Sequence, residues 1–373
     1  MILLSLLFLA QHYYSVPPVD SPELAAWGAH EIGVRTVEVM ATRRLPVEVW
    51  YPAQIPAGFE PHTTYTSPMA GRAPRPSLPP SFTFPGRALR NAPPLAGKAF
   101  PLVVVSHGYP GARTFMTWIT ENLASKGYIV AAIDHTDSVF GAVGPFQSTL
   151  LNRAPDQLAV LETLSAGKLI PNIDATRAAI IGYSMGGYGA LASGGAAYNR
   201  NSPMLKALGL PELTTPANLK AIVAIAPWGA QAPAEAWTQD SARGLKLPSL
   251  FIVGDQDDIS GFDQGVRKVY NWSTSSDRCL LVFENARHNT GGNPAPDGVA
   301  LDFQAKESFE EPVWRKDRIN AINQHFITAF LDRHLKQDAS RVKYFSPEAN
   351  TQLPGFQRRW QLGVKFSCQA PAP

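Results

Sequence analysis

Residues 178–192 read Ala178-Ala-Ile-Ile-Gly-Tyr-Ser-Met-Gly-Gly-Tyr-Gly-Ala-Leu-Ala192. An apolar run enters, Gly182-Tyr183-Ser184-Met185-Gly186 turns, and a run of small residues leaves. That order is strand, sharp turn, helix, the context in which Gly-x-Ser-x-Gly marks a nucleophile elbow. The turn holds its serine in a strained backbone conformation. The flanking glycines are needed because a side chain there would meet the neighbouring strand or helix. Ser184 is therefore the candidate nucleophile.

Working outward, the elbow strand belongs to a series. Leu102-Val-Val-Val-Ser106, Tyr128-Ile-Val-Ala-Ala-Ile-Asp134, Ala221-Ile-Val-Ala-Ile225, Leu250-Phe-Ile-Val253 and Cys279-Leu-Leu-Val-Phe283 are continuous apolar runs. Such runs suit strands buried on both faces. Helical stretches are predicted at roughly 114–126, 156–166 and 316–336, the last with Ile319, Ile322, Phe326, Ile327 and Phe330 on one face. Alternating strand and helix imply an α/β fold with a doubly wound, mostly parallel sheet. Arg35-Thr-Val-Glu-Val-Met40 and Leu45-Pro-Val-Glu-Val-Trp-Tyr51 alternate with period two and read as an antiparallel pair at the sheet's N-terminal edge. Residues 52–99 are rich in Pro, Gly, Arg and Ser and read as a long ordered loop or an excursion over the surface. Residues 1–29 form an apolar segment and arm, and 30–373 a single domain ending in a C-terminal tail.

Composition excludes several classes. The chain has 373 residues, 45% hydrophobic and 17% charged, enough apolar content for a large core. Its 33 basic against 30 acidic residues leave a formal charge of +3, with no basic cluster interleaved with aromatics, so nucleic acid is not an expected partner. Met1-Ile-Leu-Leu-Ser-Leu-Leu-Phe-Leu-Ala10 is too short to span a bilayer. It reads as the apolar core of an export signal, and the protein as secreted or periplasmic. A hydrophobic arm or a mis-assigned start would give the same residues. Cys279 and Cys368 form one disulfide if the chain is exported, and stay as two thiols otherwise. No structural metal site is expected from two cysteines without matching histidines. Nothing points to a particular oligomeric state.

A serine hydroxyl needs a base within hydrogen-bond reach, and the base needs an acid to orient it. In hydrolases of this α/β type the chain order is Ser, acid, His, each after a strand. His288, after Leu280-Leu-Val-Phe-Glu-Asn-Ala-Arg287, alone among eight histidines fits both place and order. For the acid, Leu250-Phe-Ile-Val-Gly-Asp-Gln-Asp-Asp-Ile259 offers Asp255, Asp257 and Asp258. Gly254 and Ile259 favour Asp257, with Asp258 next. The oxyanion hole takes the backbone N–H of Met185, after the nucleophile, and a second from Ser106-His107-Gly108-Tyr109-Pro110. Pro110 has no N–H, so Tyr109 is the expected donor. His107, His135 and Asp137 read as structural. Trp228, Tyr109 and Tyr183 are candidate pocket residues.

Ser106-His-Gly-Tyr-Pro-Gly-Ala-Arg113 and Leu123-Ala-Ser-Lys-Gly-Tyr-Ile-Val-Ala-Ala-Ile-Asp-His135 resemble the platelet-activating-factor acetylhydrolase-like and dienelactone-hydrolase-like bacterial esterases. So do Arg44-Leu-Pro-Val-Glu-Val-Trp-Tyr-Pro52 and Arg318-Ile-Asn-Ala-Ile-Asn-Gln-His-Phe-Ile-Thr-Ala-Phe330. Dienelactone hydrolases use a Cys nucleophile, from which Ser184 departs. Gly108-Tyr109, Ser184-Met185-Gly186-Gly187 and Ala226-Pro227-Trp228 are similar to bacterial cutinases and polyester hydrolases. The resemblance implies an α/β-hydrolase fold and a serine esterase without cofactor. It implies oxyanion donors at Tyr109 and Met185, and an aromatic clamp of Tyr109 and Trp228 for aryl ester units. A small-molecule or polymeric ester is then the partner, short-chain or aryl. The alternatives are a phospholipid acetylhydrolase-like lipase and an amide or peptide hydrolase with the same triad. Insertions at 52–99 and 289–315 are placed to cover the cleft.

Overall fold

The computed structural model describes residues 17–60, 62–71, 78–296, 302–346 and 352–372. The apolar segment 1–10 lies outside them. Strands β1 (Ile32–Met40) and β2 (Arg44–Pro52) pair antiparallel along their whole length, as their alternation predicts. The excursion 52–99 is more structured than its Pro and Gly content suggests. It holds an antiparallel pair, β3 (Thr63–Pro68) and β4 (Ser81–Gly86), and a short β5 (Leu89–Arg90) beside β1. Tyr65 and Phe84 of that pair are buried in the main core. The Tyr65 hydroxyl donates to buried Glu121 at 2.6 Å and accepts from Trp50 Nε1 at 2.7 Å, which anchors the excursion.

The chain then alternates. It runs β6 (Phe100–Ser106), α1 (Thr117–Ser125), β7 (Ile129–Ile133), a small hairpin of β8 (Ser138–Val139) and β9 (Ala142–Val143), and α2 (Phe146–Ser165). Next come β10 (Ile173–Tyr183), α3 (Met185–Ser193), β11 (Leu219–Ile225), α4 (Gln239–Ala242) and β12 (Ser249–Gly254). Last are α5 (Arg267–Trp272), β13 (Arg278–Phe283), α6 (Phe303–Lys306), α7 (Lys316–Leu335) and β14 (Val364–Gln369). Ten strands form one sheet in the order β14-β13-β12-β11-β10-β6-β7-β2-β1-β5. The six central strands β13 to β7 are parallel to one another, and each end of this run meets an antiparallel strand, β14 or β2. Helices α1 and α7 bury apolar residues on one face, α2 and α3 on the other. This is the α/β-hydrolase fold.

Two further elements bear on the sequence reading. Helix α2 begins ten residues before 156, because Pro155 lies inside it rather than at its start. Proline usually breaks a helix by losing an N–H and crowding the preceding turn. Here the buried face of Leu150, Ala154 and Leu161 holds the helix on the sheet across that point. The C-terminal tail also joins the sheet: β14 pairs antiparallel with β13, setting Cys368 opposite Cys279, and the two form a disulfide.

Candidate active site

Ser184 stands between β10 and α3 with φ 54° and ψ −113°. That positive φ lies outside the comfortable region for a residue with a Cβ, and it lifts the side chain above the sheet's C-terminal edge. The flanking glycines are sterically required. A Cβ on Gly182 would sit 2.1 Å from the Gly186 carbonyl oxygen, and one on Gly186 2.0 Å from that of Ser106. The Ser184 carbonyl accepts from Tyr188 N–H at 3.0 Å and Trp228 N–H at 3.1 Å, pinning the elbow to α3 and to the loop after β11.

The three residues expected to act together meet. His288 Nε2 lies 2.9 Å from Ser184 Oγ. On the far side of the ring, Nδ1 lies 3.0 Å from both Asp257 oxygens. A carboxylate accepts only, so Nδ1 carries the proton and Nε2 is left free to accept from the serine. Burial pushes the Asp257 carboxyl up, but the His288 ring and the Ser260 and Ile259 N–H groups outweigh it and hold the group below its ordinary value. Those N–H groups reach Oδ1 at 2.8 and 2.9 Å. Asp258 instead pairs with Arg287 at the surface, and Asp255 accepts from Asn285 N–H at 2.7 Å.

No motif in the sequence points to Glu311, yet its buried carboxylate grips the backbone on both sides of His288. Its oxygens accept from Arg287 N–H and Asn289 N–H, each at 2.6 Å. Burial pushes the Glu311 carboxyl above its ordinary value, against the pull of those two N–H groups. Lys316, lowered to about 8 by burial, donates to the Asn289 carbonyl beside it. His288 thus rests on a short bracket at the entry to α7.

The loop after β6 passes close to Ser184: a Cβ on Gly108 would lie 3.2 Å from Ser184 Cβ. Met185 is the first residue of α3, where N–H groups have no acceptor within the helix. His107, within this loop, and His135 are both buried, and His135 bridges Ser106 Oγ and Asp156, each at 2.8 Å.

A cavity of about 770 Å³ opens over Ser184 and His288. Tyr109, Tyr183, Phe115 and Phe140 line it, and residues between Phe303 and Pro312 supply much of the rest of its wall. Among the described residues both insertions reach it, the first through Gly71. The Tyr183 ring stacks on Phe115 and lies 5.3 Å from the His288 ring. Trp228 is not part of this wall. Its ring packs edge-on against Phe146 at 5.3 Å and Tyr188 at 6.0 Å, because α2 brings Phe146 into the space beside it.

Residues 86–302 match the family described as PETase, PET hydrolase-like, over more than half of the chain. The chain belongs to the PET hydrolase-like family. Among curated relatives, cutinase est1 of Thermobifida alba is 28% identical over 196 residues, 52% of this chain and 55% of that protein. Cutinase 2 of Thermobifida cellulosilytica is 26% identical over 196 residues, 52% and 63% of the two chains. A bis(hydroxyethyl) terephthalate hydrolase of Streptomyces coelicolor is 27% identical over 191 residues, 51% and 50%. The chain spans about half the length of the curated relatives it matches. Ser184, Asp257 and His288 fall inside the PET hydrolase-like match, whereas Glu311 and the wall from Phe303 to Pro312 lie beyond it.

Proposed function

We propose that this protein is a serine carboxylic-ester hydrolase, exported from the cell, that acts through an acyl-enzyme on short-chain or aryl esters, aryl polyesters included. The observation that carries the reading is the hydrogen-bond chain from Ser184 Oγ through His288 to Asp257, at 2.9 and 3.0 Å, opening into one cavity. His288 Nε2 takes the proton from Ser184 Oγ as that oxygen attacks the acyl carbon. Asp257 holds the ring in the useful tautomer and stabilises the imidazolium. The Tyr109 and Met185 N–H groups receive the charge that develops on the carbonyl oxygen. Collapse expels the alcohol, which takes its proton from His288. Water, deprotonated by the same nitrogen, then attacks the acyl-enzyme, the acid leaves, and Ser184 regains its hydrogen.

The aromatic residues lining the cavity support aryl or small acyl groups, as does the likeness to cutinases and a bis(hydroxyethyl) terephthalate hydrolase. The Cys279–Cys368 disulfide supports an oxidising compartment. No helix among the described residues is long and apolar enough to cross a membrane. The mechanism needs no metal or organic cofactor, and residues 30–373 act in it as one domain.

The test is a panel of p-nitrophenyl esters of rising acyl length, one aryl polyester film and a p-nitroanilide, each with wild type and Ser184→Ala. Turnover of the short esters, little on the anilide, and a loss of about 10⁴-fold or more in the variant are expected. Ester turnover that survives Ser184→Ala would remove the mechanism.

A further inference from the structure

Arg153 is fully buried in α2, against the loop after β6. Its guanidinium donates to the carbonyls of His107 at 3.0 Å and Gly108 at 3.3 Å, and to Ser138 Oγ at 2.7 Å. The Gly108 carbonyl also lies 2.8 Å from His107 Nδ1. His107 Nε2 accepts from the His135 N–H at 3.3 Å, so the ring's proton is on Nδ1 and donates to Gly108. Two donors therefore hold one carbonyl. The peptide that follows is trans, since the cis bonds among described residues are Tyr109–Pro110 and Ala232–Pro233. In a planar trans peptide the C=O and the N–H point in opposite directions. Fixing the Gly108 carbonyl toward Arg153 thus fixes the Tyr109 N–H away from it, on the side where Gly108 passes Ser184.

We propose that Arg153 is the positioning residue of the oxyanion hole: its cation anchors and polarises the Gly108–Tyr109 peptide so that the Tyr109 N–H meets the developing negative charge. This rests on the esterase reading above. A positive charge behind the carbonyl draws electron density along the amide and strengthens the N–H as a donor. Burial lowers Arg153 only to about 10, so it is a cation at neutral pH, with Asp137 and Asp156 as its nearby counter-charges. Both aspartates are shared with Arg43. The same helix face backs the elbow, where Gln157 Nε2 donates to the Gly186 carbonyl at 2.9 Å.

The experiment compares wild type, Arg153→Lys and Arg153→Gln on p-nitrophenyl acetate. Active serines are counted with a fluorophosphonate, and affinity is measured for an aryl trifluoromethyl ketone, whose serine adduct carries an oxyanion. Arg153→Gln is expected to lower kcat per titrated serine about 100-fold and Arg153→Lys about tenfold, with KM within about threefold. Ketone affinity should fall by the same factor as kcat/KM. A folded variant with wild-type kcat, or a loss confined to KM with ketone affinity unchanged, overturns the proposal. If Arg153→Gln does not fold, Arg153→Lys decides by the same criteria. A wild type that the fluorophosphonate does not label overturns the esterase reading itself, which separates the two failures.

Discussion

Removing the Glu311 bracket tests whether the second insertion serves catalysis. Its two hydrogen bonds are charge-assisted and short, both 2.6 Å, and the carboxylate is buried. A bond of this kind contributes about 1.5 kcal/mol or more, because its loss leaves an N–H without its acceptor. Glu311→Ala loses both, about 3 kcal/mol. Glu311→Gln keeps one carbonyl oxygen but turns an NH₂ toward the other N–H, losing about half as much. A chain of this length unfolds with an entropy near 0.8 kcal/mol per degree, so the expected drops in melting temperature are about 4 and 2 °C. If the same free energy holds His288 within reach of Ser184, kcat falls about 100-fold in Glu311→Ala and about tenfold in Glu311→Gln. The assays are differential scanning fluorimetry and p-nitrophenyl ester kinetics normalised to titrated serine. A Glu311→Ala protein with a lowered melting temperature but wild-type kcat would refute the bracket's part in positioning the base.

Asp257→Asn should cost about 10³- to 10⁴-fold in kcat and Asp258→Asn less than threefold; equal losses would contradict the geometry. The Asp257 carboxyl is held below its ordinary value in the fold. It therefore contributes stability that is present above the unfolded carboxylate pKa and lost as pH falls through the lowered folded value. Urea titrations should show a shallower loss of stability below about pH 4 in Asp257→Asn than in wild type; parallel curves would exclude this linkage. The disulfide closes a loop of sequence separation 89, so reduction should cost about 4.5 kcal/mol, or about 6 °C in melting temperature. A reduced protein melting at the oxidised temperature, with two thiols counted, would disprove that contribution. Phe303 is 73% exposed on the cavity wall, so Phe303→Ala should leave the melting temperature within about 1 °C while raising KM severalfold for bulky aryl esters. An unchanged KM across the ester panel would take Phe303 out of substrate contact.

Much of this molecule is legible along the chain because its signals are local. The Gly182–Gly186 pattern, the apolar runs and the order Ser184, Asp257, His288 each sit within a few residues or follow from topology. The misses are of another kind. The pair β3 and β4 is obscured by Pro and Gly counts, although Tyr65 and Phe84 alternate with polar neighbours as strands should. Helix α2 is cut short by Pro155, whose cost local rules count and whose compensation, burial against the sheet, they do not. Trp228 follows a strand that ends at the site, but Phe146, eighty-odd residues earlier, decides which way its ring faces.

The chain's own order sets the fold class, singles out Ser184 and His288 and narrows the acid to the run Asp255 to Asp258, since strand, turn and helix propensities and chain order are properties of neighbours. Tertiary structure decided which aspartate meets His288, that Cys279 finds Cys368, and that Glu311 and Arg153 brace the base and the oxyanion loop. Those pairings join residues tens of positions apart. Their energies depend on burial and on hydrogen-bond direction, and neither exists until the sheet has brought the segments together.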